Sequence, residues 1–140
     1  MHHIMYLSTA LVLVPEAELK AMLTRWRQNN SRDQITGMLL YSGEHYVQLI
    51  EGDEADLRSL YAKITKDYHH THIITLADGP INQRSFENWS MGFRSVDEAS
   101  LAGLKGYIHP DGVTFPPYQE DSPVRVLQQF IQQDMAQDSY

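Results

Sequence analysis

Two apolar stretches, Ile35 to Tyr41 and His45 to Ile50, lie on either side of Ser42-Gly43-Glu44. A short Gly-containing connection between runs of that length joins antiparallel strands, so the middle of the chain predicts a hairpin. The second stretch also holds the residue that is hardest to account for. Gln48 sits in Tyr46-Val47-Gln48-Leu49-Ile50, where neighbours of both parities are apolar, and this takes its amide into a buried layer. A buried amide left unpaired costs about 1 to 3 kcal/mol, so a backbone carbonyl or a polar ligand atom must meet it.

The other elements arrange themselves around that hairpin. His3 to Ser8 is rich in strand formers and predicts a first strand. Pro15 suits a helix start, and Leu19, Met22, Leu23 and Trp26 follow at the spacing of one buried helical face, with a stop expected near Asn29 and Asn30. After Gly52, Asp53 can cap a second helix whose apolar face is Leu57, Leu60, Tyr61 and Ile64, and Lys63 and Lys66 suit its C-terminal end. A fourth strand is expected from His72 to Ala77 and a fifth from Trp89 to Val96, separated by the polar stretch DGPINQRSFEN. Asp97 would cap a short helix over 98–105. A Pro- and Gly-rich loop leads to a last helix from Ser122-Pro123, striped by Val124, Leu127, Phe130 and Ile131.

The order βαββαββ with right-handed crossovers puts the first two helices on one face of a mixed sheet. The expected fold is therefore α+β and ferredoxin-like, with C-terminal helices beyond the last strand, free to cover the open face. Residues 1–96 would form the core and 97–140 a helical extension. The gap between the two long helices is the natural place for a flat ligand.

Composition removes several classes of function. A formal net charge of −7 argues against a direct nucleic-acid partner, which needs clustered Lys and Arg to displace counterions. The absence of cysteine excludes disulfides, zinc-thiolate sites and thiol nucleophiles. No run approaches the roughly 18 apolar residues needed to span a bilayer, and the N-terminus reads as a strand rather than a signal peptide. The expectation is a soluble, cytoplasmic protein with no membrane partner. His69, His70 and His72 cluster, but no carboxylate pattern completes a metal site, so no metal is expected.

Some residues have a structural and a functional reading. Tyr6 shares a strand face with Ile4 and Ser8, and a phenol beside an amide makes a pair in which each side can donate or accept. Asn29 and Asn30 could merely end the first helix or could read the edge of a heterocycle. Trp89 and Met91 share a face of the expected fifth strand, where core packing is the usual fate of such residues.

Taken together, Tyr6 in IMYLST, the segment NNSRDQITGMLLYSGEHYVQLIEG and RSFENWSMGF resemble the BLUF family, sensors of blue light using flavin. The resemblance covers roughly residues 1–96. It implies that Tyr6 is the photoactive tyrosine and Gln48 the glutamine that bridges it to the flavin ring, with Trp89 and Met91 as neighbours of that glutamine. It further implies that Asn29 and Asn30 contact the ring edge and that Ile64 packs on the ring. Lys63, Asp67 and His70 would contact the ribityl and phosphate part. Lys63 stands where the family often has arginine, a compact ammonium in place of a fork, which keeps FMN and riboflavin open beside FAD. Tyr6 would give an electron and a proton to the excited flavin, and their return would leave Gln48 rotated or tautomerised, with a small red shift in absorption. Trp26 would pack at the rim or serve as a second electron donor.

Such a protein is a photoreceptor and not an enzyme. It would signal to a separate downstream protein through a surface, through movement near Trp89 and Met91, and would form a homo-oligomer. The alternatives are a colourless ferredoxin-like interaction module and an acylphosphatase-like enzyme, the latter disfavoured because no Gly-rich anion cradle with an arginine is present.

Overall fold

The computed structural model describes residues 1–11, 15–67, 70–86, 90–96 and 127. The elements run β1 (His2–Ala10), α1 (Glu16–Arg32), β2 (Thr36–Tyr41), β3 (His45–Gly52), α2 (Glu54–Thr65), β4 (His70–Pro80) and β5 (Gly92–Ser95). They form one five-stranded sheet in the order β4-β1-β3-β2-β5, with β5 parallel to β2 and the other pairs antiparallel. This is the ferredoxin-like α+β arrangement of the expected order.

The alternation of side chains sorts the core into two layers. Ile4, Leu39, Tyr41, Tyr46 and Ile50 point to one face, where they meet Leu19, Met22 and Leu23 of α1 and Leu57 of α2. Met5, Leu7, Met38, Leu40, Val47 and Leu49 point to the other face and pack with Leu127. Fully burying an aliphatic side chain such as Leu57 contributes about 1.5 to 3 kcal/mol, so this split fixes the register of the central strands. Leu127 is helical and 0% exposed, and it packs on the sheet face opposite α1 and α2.

Several boundaries differ from those expected. Helix α1 continues past Asn29 and Asn30 to Arg32, with Asp33 as its C-cap, and the reversal falls on Gln34 at φ 56°. The terminal carbonyls of Asn29, Asn30 and Ser31 accept from Asp33, Ile35 and Gln34, so the left-handed residue lies beyond the asparagines and leaves them inside the helix. Strand β4 takes in Asp78, Gly79 and Pro80, which pair with Ile4, His3 and His2. Proline is tolerated there because β4 is an edge strand and its outer side needs no amide. Strand β5 is shorter than expected, and Met91 precedes it.

Asp53 caps α2, its carboxylate accepting from the Ala55 amide at 3.2 Å. The hairpin turn is held by Ser42 Oγ, which accepts from the Glu44 and His45 amides, with Gly43 at φ 94°. The short helix over 98–105, the loop over 109–121, the last helix apart from Leu127, His69 and Trp89 lie outside the described residues.

Candidate functional site

Tyr6 and Gln48 are direct register partners across β1 and β3, and both face the two helices. The Tyr6 hydroxyl donates to Gln48 Oε1. Gln48 Nε2 in turn donates to Met91 Sδ at 3.4 Å. The three side chains thus form one buried row, 3%, 7% and 2% exposed, which ends where β5 begins. Burial pushes the Tyr6 phenol well above its ordinary pKa, and the neighbouring Tyr61, Tyr46 and Asp67 add to the rise. It is a neutral phenol with a proton to give.

Above this row lies a cavity of about 290 Å³. Its walls follow from helical periodicity. Met22, Trp26, Asn29, Asn30 and Asp33 recur along α1 and its cap, and Asp56, Ser59, Leu60, Lys63, Ile64 and Asp67 recur along α2 and just beyond. The sheet supplies Tyr6, Leu39, Tyr46, Gln48 and His70 as the floor. Tyr6, Asn29, Asn30, Gln48, Lys63, Ile64, Asp67 and His70, singled out from the sequence, therefore line a single cavity, together with Trp26.

The residues differ in what they can offer a ligand. Asn30 is 5% exposed, and its Nδ2 donates to the Ser90 carbonyl at 2.9 Å. Asn29 is exposed at the rim. Lys63 is also exposed and lines the cavity with Arg32 and Asp33, which form an ion pair of 3.2 Å. His70 is committed within the chain: Nε2 donates to the Ile64 carbonyl at 2.7 Å, which leaves Nδ1 to accept from Ser8 Oγ at 2.7 Å. It offers the cavity a ring edge, set against the Tyr6 and Tyr46 rings at 5.9 and 5.8 Å. Trp26 is half-buried and packs against the core under the helices.

Sequence reasoning missed four participants. Leu39 and Tyr46 follow from hairpin pairing, because Leu39 is the register partner of Gln48 and Tyr46 shares its parity. Tyr61, whose ring lies 5.7 Å from that of Tyr6, reads from its helical spacing as core alone. Arg27 gave no signal, yet its Nε donates to the Met91 carbonyl at 2.9 Å and, with Asn30, secures the entry to β5. Among the described residues no group of three His, Asp or Glu converges as a metal site, and no helix is long and apolar enough to cross a membrane.

A cavity lined by both apolar side chains (Met22, Trp26, Leu39, Leu60 and Ile64) and polar ones, with the amides of Asn29, Asn30 and Gln48 and the cations Arg32 and Lys63 among them, suits a flavin: a ring that stacks, a polar ring edge and an anionic tail. Comparison with known proteins agrees. Residues 1–92 match the BLUF family, described as sensors of blue-light using FAD, and the chain belongs to that family. It is 32% identical over 116 residues to the photoactivated adenylate cyclase subunit beta of Euglena longa, covering 82% of this chain and 12% of that protein. Over 62 residues it is 32% identical to the blue light- and temperature-regulated antirepressor BluF of Escherichia coli strain K12, covering 44% of this chain and 15% of that one. The dark-state structure of the BLUF protein BlrB superposes with a TM-score of 0.73 at 29% identity, over 95% of this chain and 96% of that one. The chain thus spans only a small part of the first two of these relatives. The family is one of blue-light sensors that use a flavin.

Proposed function

We propose that this photoreceptor holds FAD between α1 and α2 and passes its signal to a separate protein rather than catalysing a reaction. The observation that carries the reading is the buried row from Tyr6 through Gln48 to Met91 at the base of the cavity. Asn29 and Asn30 would hold the ring edge and Ile64 would pack on the ring. Lys63 would meet the phosphate, Asp67 would accept from sugar hydroxyls, and His70 would contribute its ring edge. When bound, the flavin supplies absorption of blue light and an excited ring that takes up an electron and a proton.

In this reading Tyr6 would provide both and then recover them. Gln48 has two ways to pair with Tyr6, either accepting through Oε1, as found, or donating through Nε2 after the amide turns. The turn has a consequence at Met91. A thioether accepts a weak hydrogen bond but cannot donate one, so a turned amide presents oxygen to sulfur and the link from Gln48 to Met91 is lost. Release of Met91 at the entry of β5 is the proposed way out of the site. A network whose two arrangements each keep the tyrosine paired can populate both.

Relatives named as a light-regulated cyclase and an antirepressor support the view that such a sensor serves different outputs. In this reading residues 1–96 sense and residues 97–140 contact the partner, in a cytoplasmic homo-oligomer. The test is direct: purified protein should be yellow, and heat or acid should release intact FAD, identified by chromatography. A colourless preparation that also fails to take up added FAD, FMN or riboflavin would contradict the reading.

A further inference from the structure

Glu51 is 0% exposed, on the sheet face opposite Gln48. Its oxygens are met by donors from the segment that leads towards β5. Oε2 accepts from the Ser85 amide at 2.6 Å, and Oε1 accepts from the Phe86 amide at 2.9 Å and from Thr36 Oγ1 at 3.3 Å. Arg84 closes the arrangement, donating to Thr36 Oγ1 at 2.9 Å and to the Glu51 backbone carbonyl at 3.1 Å. Every partner donates, so the site is built for a carboxylate.

The placement matters because residues 86 and 91 belong to different faces. Phe86 packs against the cluster that contains Leu127, whereas Met91 packs under the helices beside Gln48. The segment therefore crosses from one face to the other, gripped by Glu51 at residues 85 and 86 and by Arg27 and Asn30 at residues 90 and 91. The two grips differ in kind. At the β5 end each bond is a single contact from an α1 side chain to a carbonyl, next to the thioether that Gln48 holds. At the Glu51 end a buried carboxylate takes two consecutive amides.

We propose that Glu51 is a positioning residue of the photoreceptor, a fixed anchor that makes a change at Gln48 and Met91 move β5 rather than the whole connection. This rests on the photoreceptor reading above. With residues 85 and 86 held, the path left for displacement at Met91 runs downstream, along β5 to Val96, which packs in the same cluster as Leu127. Without the anchor the preceding segment would absorb it.

Residue-resolved amide exchange of the full chain, dark and under steady blue light, tests the proposal. In the wild type, light should change exchange at residues 92–95 by about fivefold or more while leaving Ser85 and Phe86 within about twofold. In Glu51→Gln, which sets an amide NH2 against those donors, the red shift should persist because Gln48 is on the other face. The change at residues 92–95 should fall by about fivefold and appear instead at residues 85 and 86. Equal light response at residues 85–86 and 92–95 in the wild type would overturn the proposal, whether or not the variant folds. So would a Glu51→Gln protein with the wild-type exchange pattern. Absence of any red shift in the wild type would overturn the photoreceptor reading and this proposal with it.

Discussion

Tyr6 and Gln48 face each other across two central strands, so their hydrogen bond is set by sheet register rather than by loop packing. The neighbours on either side in the same register, Ile4 with Ile50 and Ser8 with Tyr46, are buried as well. A slip of one residue in either strand would send its polar group into the opposite layer and part the pair.

This burial has a consequence in alkali. Tyr6 holds its proton more tightly folded than unfolded, because burial raises its pKa from the ordinary value of 10.0. Its contribution to stability is therefore complete below pH 10 and declines as pH rises past it, by up to about 1.4 kcal/mol per pH unit. Denaturant unfolding of the wild type and Tyr6→Phe between pH 9 and about pH 11 should show the steeper decline in the wild type. Equal slopes would mean that the phenol is not sequestered.

At the opposite end of the sheet, Asp78 joins three elements. Arg58 of α2 donates to both of its oxygens, at 2.6 and 2.8 Å, and His2 of β1 lies at 2.6 Å. The Arg58 hydrogen bonds, aided by His2, hold the Asp78 carboxyl at about 2, below its usual 3.8. A depressed carboxyl stabilises the fold above its unfolded pKa, and that contribution is lost as pH falls from about 4 towards about 2. Melting curves over that window should fall more steeply for the wild type than for Asp78→Asn, with a modest difference because the group is solvated.

Gly37 of β2 pairs with Ile50 of β3. A Cβ built there would stand 1.9 Å from the Leu49 carbonyl oxygen and 3.0 Å from its carbon. Backbone atoms of a central strand cannot withdraw as a flexible side chain would, so Gly37→Ala should cost about 3 kcal/mol or more. Thermal unfolding measures it, and a loss under about 1 kcal/mol would show that the two strands can part.

The fold was legible because its signals are local. The two helical stripes and the hairpin around Gly43 each recur at a spacing that one element dictates, and the cavity walls are those same stripes continued through Asn29 and Asn30 and through Lys63 and Ile64. The misread boundaries depend on pairing between distant segments. Pro80 joins β4 because His2 lies opposite, and Asn29 and Asn30 stay helical because Gln34 makes the reversal. Arg27, Glu51 and the internal pairing of His70 were invisible for a related reason. Each has a partner more than 30 residues away, Met91 for Arg27, Ser85 and Phe86 for Glu51, and Ser8 for His70, and no periodicity links them.

The blue-light difference spectrum of the wild type beside Tyr6→Phe and Gln48→Ala, each loaded with the same flavin, addresses the switch itself. Tyr6→Phe removes the donor of the bond to Gln48 Oε1, and Gln48→Ala removes both the acceptor and the link to Met91 Sδ, while the cavity walls stay intact. The expected result is a reversible red shift in the wild type that is lost in both variants, with flavin retained in all three proteins. A variant that kept the full reversible shift would contradict a mechanism built on this pair.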